Sequence, residues 1–89
     1  MKITIKDTDK AMLNFVHIKS KEKGTITADR NPLTGDWLRH EKVGDNDAWY
    51  YSDKTALKHL LNTIITKNKA AGLQADLIIE KNEHPVIPN

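Results

Sequence analysis

Residues 52–72 read SDKTALKHLLNTIITKNKAAG, and this stretch decides the fold. Leu57, Leu60, Leu61, Ile64 and Ile65 recur at i, i+3, i+4, i+7 and i+8, the spacing of a helix that buries one face. The start is predicted at Ser52, whose hydroxyl can accept an orphan N–H of the first turn, with Asp53 then at the positive end of the helix dipole. The stop is predicted by Lys67 and Lys69 in the last turns and by Gly72, which adopts the left-handed position beyond a helix cheaply. One long amphipathic helix over about 53–71 follows. Fully burying its five large aliphatics contributes roughly 1.5–3 kcal/mol each before conformational entropy is subtracted. A lone helix of this kind needs a sheet or other helices over its stripe.

The flanking segments supply a sheet. Lys2 to Lys6 alternates with period two and predicts a short strand with Ile3 and Ile5 on one face. Lys10 to Ser20 fits either a helix using Met12, Phe15 and Val16 or a strand, and its aromatic and β-branched run favours a strand over 13–20. Lys21-Glu22-Lys23-Gly24 then reads as a hairpin connection, with residues 25–28 returning. Asn31 to Asp36, with Pro32 and Gly35, is a loop, and Trp37 to Val43 is the next strand. A turn over 44–47 leads to a short aromatic strand, 48–51, that feeds the helix. Beyond Gly72, residues 75–80 predict a last strand whose Leu77-Ile78-Ile79 run is too continuous for an exposed edge. The expectation is an α+β fold: an antiparallel meander of four to six strands with the helix packed on one face. The opposite sheet face is then the largest surface not committed to the core. The 89 residues have room for one domain, expected over 1–82, with an extended tail over 83–89.

Composition excludes several kinds of chemistry. The chain has no cysteine, which removes disulfides, thiolate metal sites and a cysteine nucleophile together. It has no apolar run near the ~20 residues of a membrane span and no signal-peptide core, so a cytoplasmic location is expected. Phosphate-binding glycine loops and nucleophile elbows are missing. His17, His40, His59 and His84 are not at metal-ligand spacing. The acidic turn Asp45-Asn46-Asp47 lacks the glycine and glutamate of a calcium loop, so no metal or cofactor is expected. No catalytic set emerges, and the expectation is a protein that is not an enzyme.

The net charge of +2 is unevenly spread: +3 over 1–30, −3 over 31–53, +4 over 54–71 and −2 over 72–89. Opposite-sign blocks, small size and clustered aromatics suit a protein-binding module, an inhibitor or adaptor of the phage or mobile-element type that works by occupying another protein's surface. Its expected contacts are Trp49, Tyr50, Asp45 and Asp47. The helix adds a lysine-rich band of Lys54, Lys58, Asn62 and Lys69, expected on the side away from the apolar stripe.

An alternative comes from the order of elements. Over residues 14–66, three strands lead into one helix through Tyr51-Ser52-Asp53-Lys54-Thr55-Ala56, and this arrangement resembles integrase arm-binding and AP2-type domains. The resemblance implies DNA binding by the open face of the sheet, through Lys19, Lys21, Lys23, Arg30 and Arg39. One geometric feature separates the two expectations: whether those basic residues share a face free of acids.

Overall fold

The computed structural model describes residues 3–81. The chain forms β1 (Asp9–Val16), β2 (Lys23–Arg30), β3 (Trp37–Val43), β4 (Asn46–Ser52), α1 (Lys54–Ala70) and β5 (Asp76–Lys81). The five strands make one sheet in the order β4-β3-β2-β1-β5, and every pairing is antiparallel. This is the α+β meander that the hydrophobic pattern predicts. β4 and β5 run parallel at opposite edges, and α1 carries the chain across the sheet between them.

The ladder register sets the two faces. Ala11, Leu13 and Phe15 of β1, Gly24, Ile26 and Ala28 of β2, and Trp37 of β3 point to the helix side and are buried. Leu57, Leu61 and Ile65 of α1 close over them. Gly24 belongs to this packing and not to the predicted turn. It sits opposite Phe15, and a Cβ there would lie 2.8 Å from Phe15 Cε1 and Cε2. The chain reverses earlier, over 17–22, where His17 N–H donates to the Glu22 carbonyl and Lys21 N–H to the His17 carbonyl, both at 2.8 Å. β1 accordingly covers 9–16 instead of 13–20.

Two further strand expectations change. Residues 3–6 of the predicted first strand make no ladder, although Ile3 and Ile5 are buried in the core and Thr4 and Lys6 are exposed. The alternation there records burial without pairing. β5 is an edge of the sheet, with Leu77 and Ile79 half-buried on the helix side and Ile78 exposed on the other. Its continuous apolar run serves both faces of an edge. The expected tail over 83–89 lies outside the described residues.

The helix ends have definite chemistry. The N-cap is Asp53 and not Ser52: Ala56 N–H donates to Asp53 Oδ1 at 2.7 Å, while Ser52 ends β4. At the other end Leu73 N–H donates to the Asn68 carbonyl (2.8 Å) and Gly72 N–H to the Lys69 carbonyl (3.1 Å), the paired bonds of a Schellman motif. Gly72 has φ +72°, and nothing lies within 4 Å of where a Cβ would stand. Gly72→Ala is therefore expected to cost about 1 kcal/mol through backbone conformation alone, read as a lowered urea midpoint with unchanged m-value.

Asn68 is the buried polar residue of the helix. β5 stops pairing with β1 at Asn14, so Val16 N–H has no strand carbonyl on that side, and it donates to Asn68 Oδ1 at 2.9 Å. One side chain thus fixes the end of α1 to the end of β1.

Candidate protein-docking face

The side of the sheet away from α1 carries no second layer among the described residues. The register places three cross-strand rows on it: Tyr51, Leu38, Asp29, Lys10 and Glu80; then Trp49, His40, Thr27, Met12 and Ile78; then Asp47, Lys42, Thr25, Asn14 and Asp76. The middle row is an almost uncharged band across all five strands. Trp49 is 61% exposed, Tyr51 68% and Ile78 43%, so large apolar surface faces solvent.

The aromatic end of this band is organised. His40 and Trp49 are directly paired across β3 and β4, and their rings stack with centroids 4.2 Å apart and planes 18° from parallel. His40 Nε2 lies 3.9 Å from Asp47 Oδ2. The two rings, with Leu38 and Tyr51 beside them and Asp29 and Arg30 at the margin, bound a hollow of about 420 Å³ at one corner of the sheet that also takes in Thr27 and Asn31. Asn31 is held by its own loop, where its Oδ1 accepts from Leu33 N–H at 2.9 Å.

Of the predicted contact residues, Trp49 and Asp47 lie on this face and Asp45 in the adjoining turn. Tyr50 does not: period-two geometry turns it to the helix side, where the Arg39 guanidinium sits 4.9 Å from its ring centroid. The residues missing from that expectation are Tyr51, Leu38, His40, Met12 and Ile78. Tyr51 shares the face of Trp49 by alternation alone. The rest needed the strand order.

The helix band is also placed differently. Lys54, Lys58 and Asn62 are half-buried beside the stripe, and Lys69 is exposed. At 100° per residue Lys54 falls between Leu61 and Ile65, not opposite them. Its ammonium pairs with Asp7 at 2.9 Å, and Arg30 lies 3.9 Å from the same carboxylate. The Lys54 hydrogen bond and charge hold Asp7 below its ordinary value of 3.8, against desolvation and with a smaller contribution from Arg30. A lowered carboxylate pKa stabilises the fold above the unfolded value and loses that contribution as pH falls through the folded one. Asp7→Asn should therefore lower the urea midpoint at pH 7, with the difference from the parent shrinking below about pH 4.

The basic residues of the DNA alternative do not converge. Lys23 lies at the margin of the open face, and Lys19 and Lys21 are in the 17–22 turn. Arg39 points to the helix side, toward Glu41 at 3.7 Å, while Arg30 at the end of β2 lies 3.9 Å from Asp7 and also borders the corner hollow of the open face. The open face itself carries Lys10, Lys23 and Lys42 against Asp29, Asp47, Asp76 and Glu80. Among the described residues no cluster of three His, Asp or Glu is placed to hold a metal ion, and no helix is long and apolar enough to cross a membrane. In comparison with known proteins, no family model, curated protein or solved structure matches the chain.

Proposed function

We propose that the chain is a small non-enzymatic protein-binding module, an inhibitor or adaptor, that covers a partner protein's surface with the open face of its sheet. The observation that supports this reading is the row from Trp49 to Ile78: aromatic and apolar in the middle, with lysines and acids interspersed along both sides. Protein interfaces have that anatomy, a desolvated aromatic centre and a polar rim, and exposed tryptophan and tyrosine are their usual anchors. Duplex DNA is the less favoured ligand, because three lysines and the bordering Arg30 against four acids give phosphate no net attraction. A cysteine-free chain suits a reducing, cytoplasmic setting.

The test pairs two measurements on the parent and on Trp49→Ser/Tyr51→Ser, each first shown to be folded by circular dichroism. Affinity capture from host lysate should enrich a defined protein with the parent and lose it with the variant. Anisotropy of a labelled DNA duplex should show no saturable binding at physiological salt. A capture pattern that the double substitution leaves intact would remove the open face from the proposal. Micromolar DNA binding that falls steeply with salt would replace the protein partner with nucleic acid.

A further inference from the structure

The helix side of the sheet is only partly covered. Burial on that side holds along the middle of β1 and β2, then falls off across β3 and β4: Val43 and Ala48 are half-buried, and Asn46 and Tyr50 are exposed, Tyr50 by 46%. The uncovered strip forms a trough along the flank of α1. One part, a hollow of about 380 Å³, is bounded by Glu41, Val43, Ala48, Tyr50 and Ile64. It continues past Phe15 and Ile64 into a second hollow of about 410 Å³ against Ile18, Lys19 and Lys67.

The wall and floor of the trough indicate what fills it. Ile64 on the flank of α1 forms the wall and Val43, Ala48 and Tyr50 the floor, so the strip is the place beside α1 that a second helix of the same layer would take. From Tyr50 to Asn46 the floor runs about 14 Å, room for about nine helical residues. Charge indicates the orientation. Glu41 in the floor is matched by Arg39 and Asp47 at the margin lies 3.9 Å from His40, whereas Lys19 and Lys67 at the far end make no ion pair among the described residues. Acidic side chains are most favourable in the first turn of a helix, and a helix antiparallel to α1 would place its first turn there.

We propose that this trough docks an amphipathic helix of a partner protein, antiparallel to α1. Its apolar stripe lies on Val43, Ala48, Tyr50 and Ile64, and acids of its first turn meet Lys19 and Lys67. The site is on the opposite side of the sheet from Trp49 and Tyr51, so the module has two docking faces and can bridge two segments.

The probe is a labelled amphipathic peptide of about 14 residues with leucines at i, i+3, i+4 and i+7 and two glutamates in its first turn. A control peptide carries lysines in place of the glutamates. The acidic peptide should bind saturably and shift the NMR signals of Val43, Ala48 and Ile64. Lys19→Glu/Lys67→Glu should weaken it by about tenfold or more through like-charge contact. Ala48→Arg, which places a large side chain in the floor, should abolish it while the far-UV circular dichroism stays that of the parent. Trp49→Ser/Tyr51→Ser should leave it unchanged, so this test and that of the open face fail independently. Equal binding of the two peptides, no saturable binding, or binding insensitive to Ala48→Arg would overturn the proposal.

Discussion

Replacing Trp37 by alanine is expected to cost about 3–5 kcal/mol, the range for truncating a fully buried large aromatic. Trp37 is 1% exposed and is among the largest fully buried side chains. It opens β3 opposite Arg30 and Ser52, so its ring lies where the end of β2, the end of β4 and the start of α1 come together. The preceding loop delivers it there. Asn31 N–H donates to the Asp36 carbonyl and Gly35 N–H to the Asn31 carbonyl, both at 2.8 Å, which fixes where the chain re-enters the sheet. A domain of this length has a total stability of about 4–13 kcal/mol, so the variant would be marginal at 25 °C. Trp49→Ala, by contrast, removes a largely exposed ring from an edge strand and loses its stack on His40, and should cost about 1 kcal/mol or less. Urea denaturation followed by far-UV circular dichroism separates the two. A comparable loss in both variants would mean that Trp49 is covered in solution and that the open face is not open.

The contrast between these two tryptophans shows where sequence stops informing. Both lie within thirteen residues and in strands that the turn chemistry predicts well. Their fates differ because one occupies a helix-side register position and the other an open-face position, and register is a property of strand pairs. In β4, alternation separates Trp49 and Tyr51 from Tyr50 within a single strand, and that much was legible. In β3 the reading Trp37-Leu38-Arg39-His40-Glu41 shows no apolar alternation, since Arg39 and Glu41 take helix-side positions and neutralise one another there. An arginine so placed looks like a phosphate contact in the sequence and is an ion-paired, partly buried group in the fold.

The helix was legible because five aliphatics at helical spacing leave little alternative. The sequence places its cap one residue early, at Ser52 for Asp53, since both side chains can accept the first-turn N–H and only the end of β4 decides between them. The helix band was misplaced for a related reason. Lys54 is charged but sits within the buried arc, because Asp7, from a segment distant in sequence, reaches it. The edge position of β5 was not legible at all. A helix that crosses the whole sheet before the last strand puts an apolar segment at the margin, and no local signal in 75–80 records that crossing.

Leu61→Ala tests the element on which the fold rests, and its expected cost is about 2–5 kcal/mol. Leu61 has no exposed surface and lies midway along α1, between Leu57 and Ile65, over the buried residues of the sheet. Truncation there removes transfer free energy and leaves a cavity that rigid neighbours on both sides cannot close. Leu60, one position away, is only half-buried at the flank of the stripe, so Leu60→Ala should cost distinctly less. The order of the two is the informative result, because a loosely docked helix would lose similar amounts at both positions. A Leu61→Ala loss below about half a kcal/mol, the range of neutral surface changes, would mean that α1 does not cover the sheet. α1 is one wall of the trough beside β3 and β4, and its N-terminal turn is tied to the segment that packs Ile3 and Ile5 into the core. Loosening α1 should therefore weaken binding of the acidic peptide in the trough while leaving the row from Trp49 to Ile78 on the far side of the sheet in place.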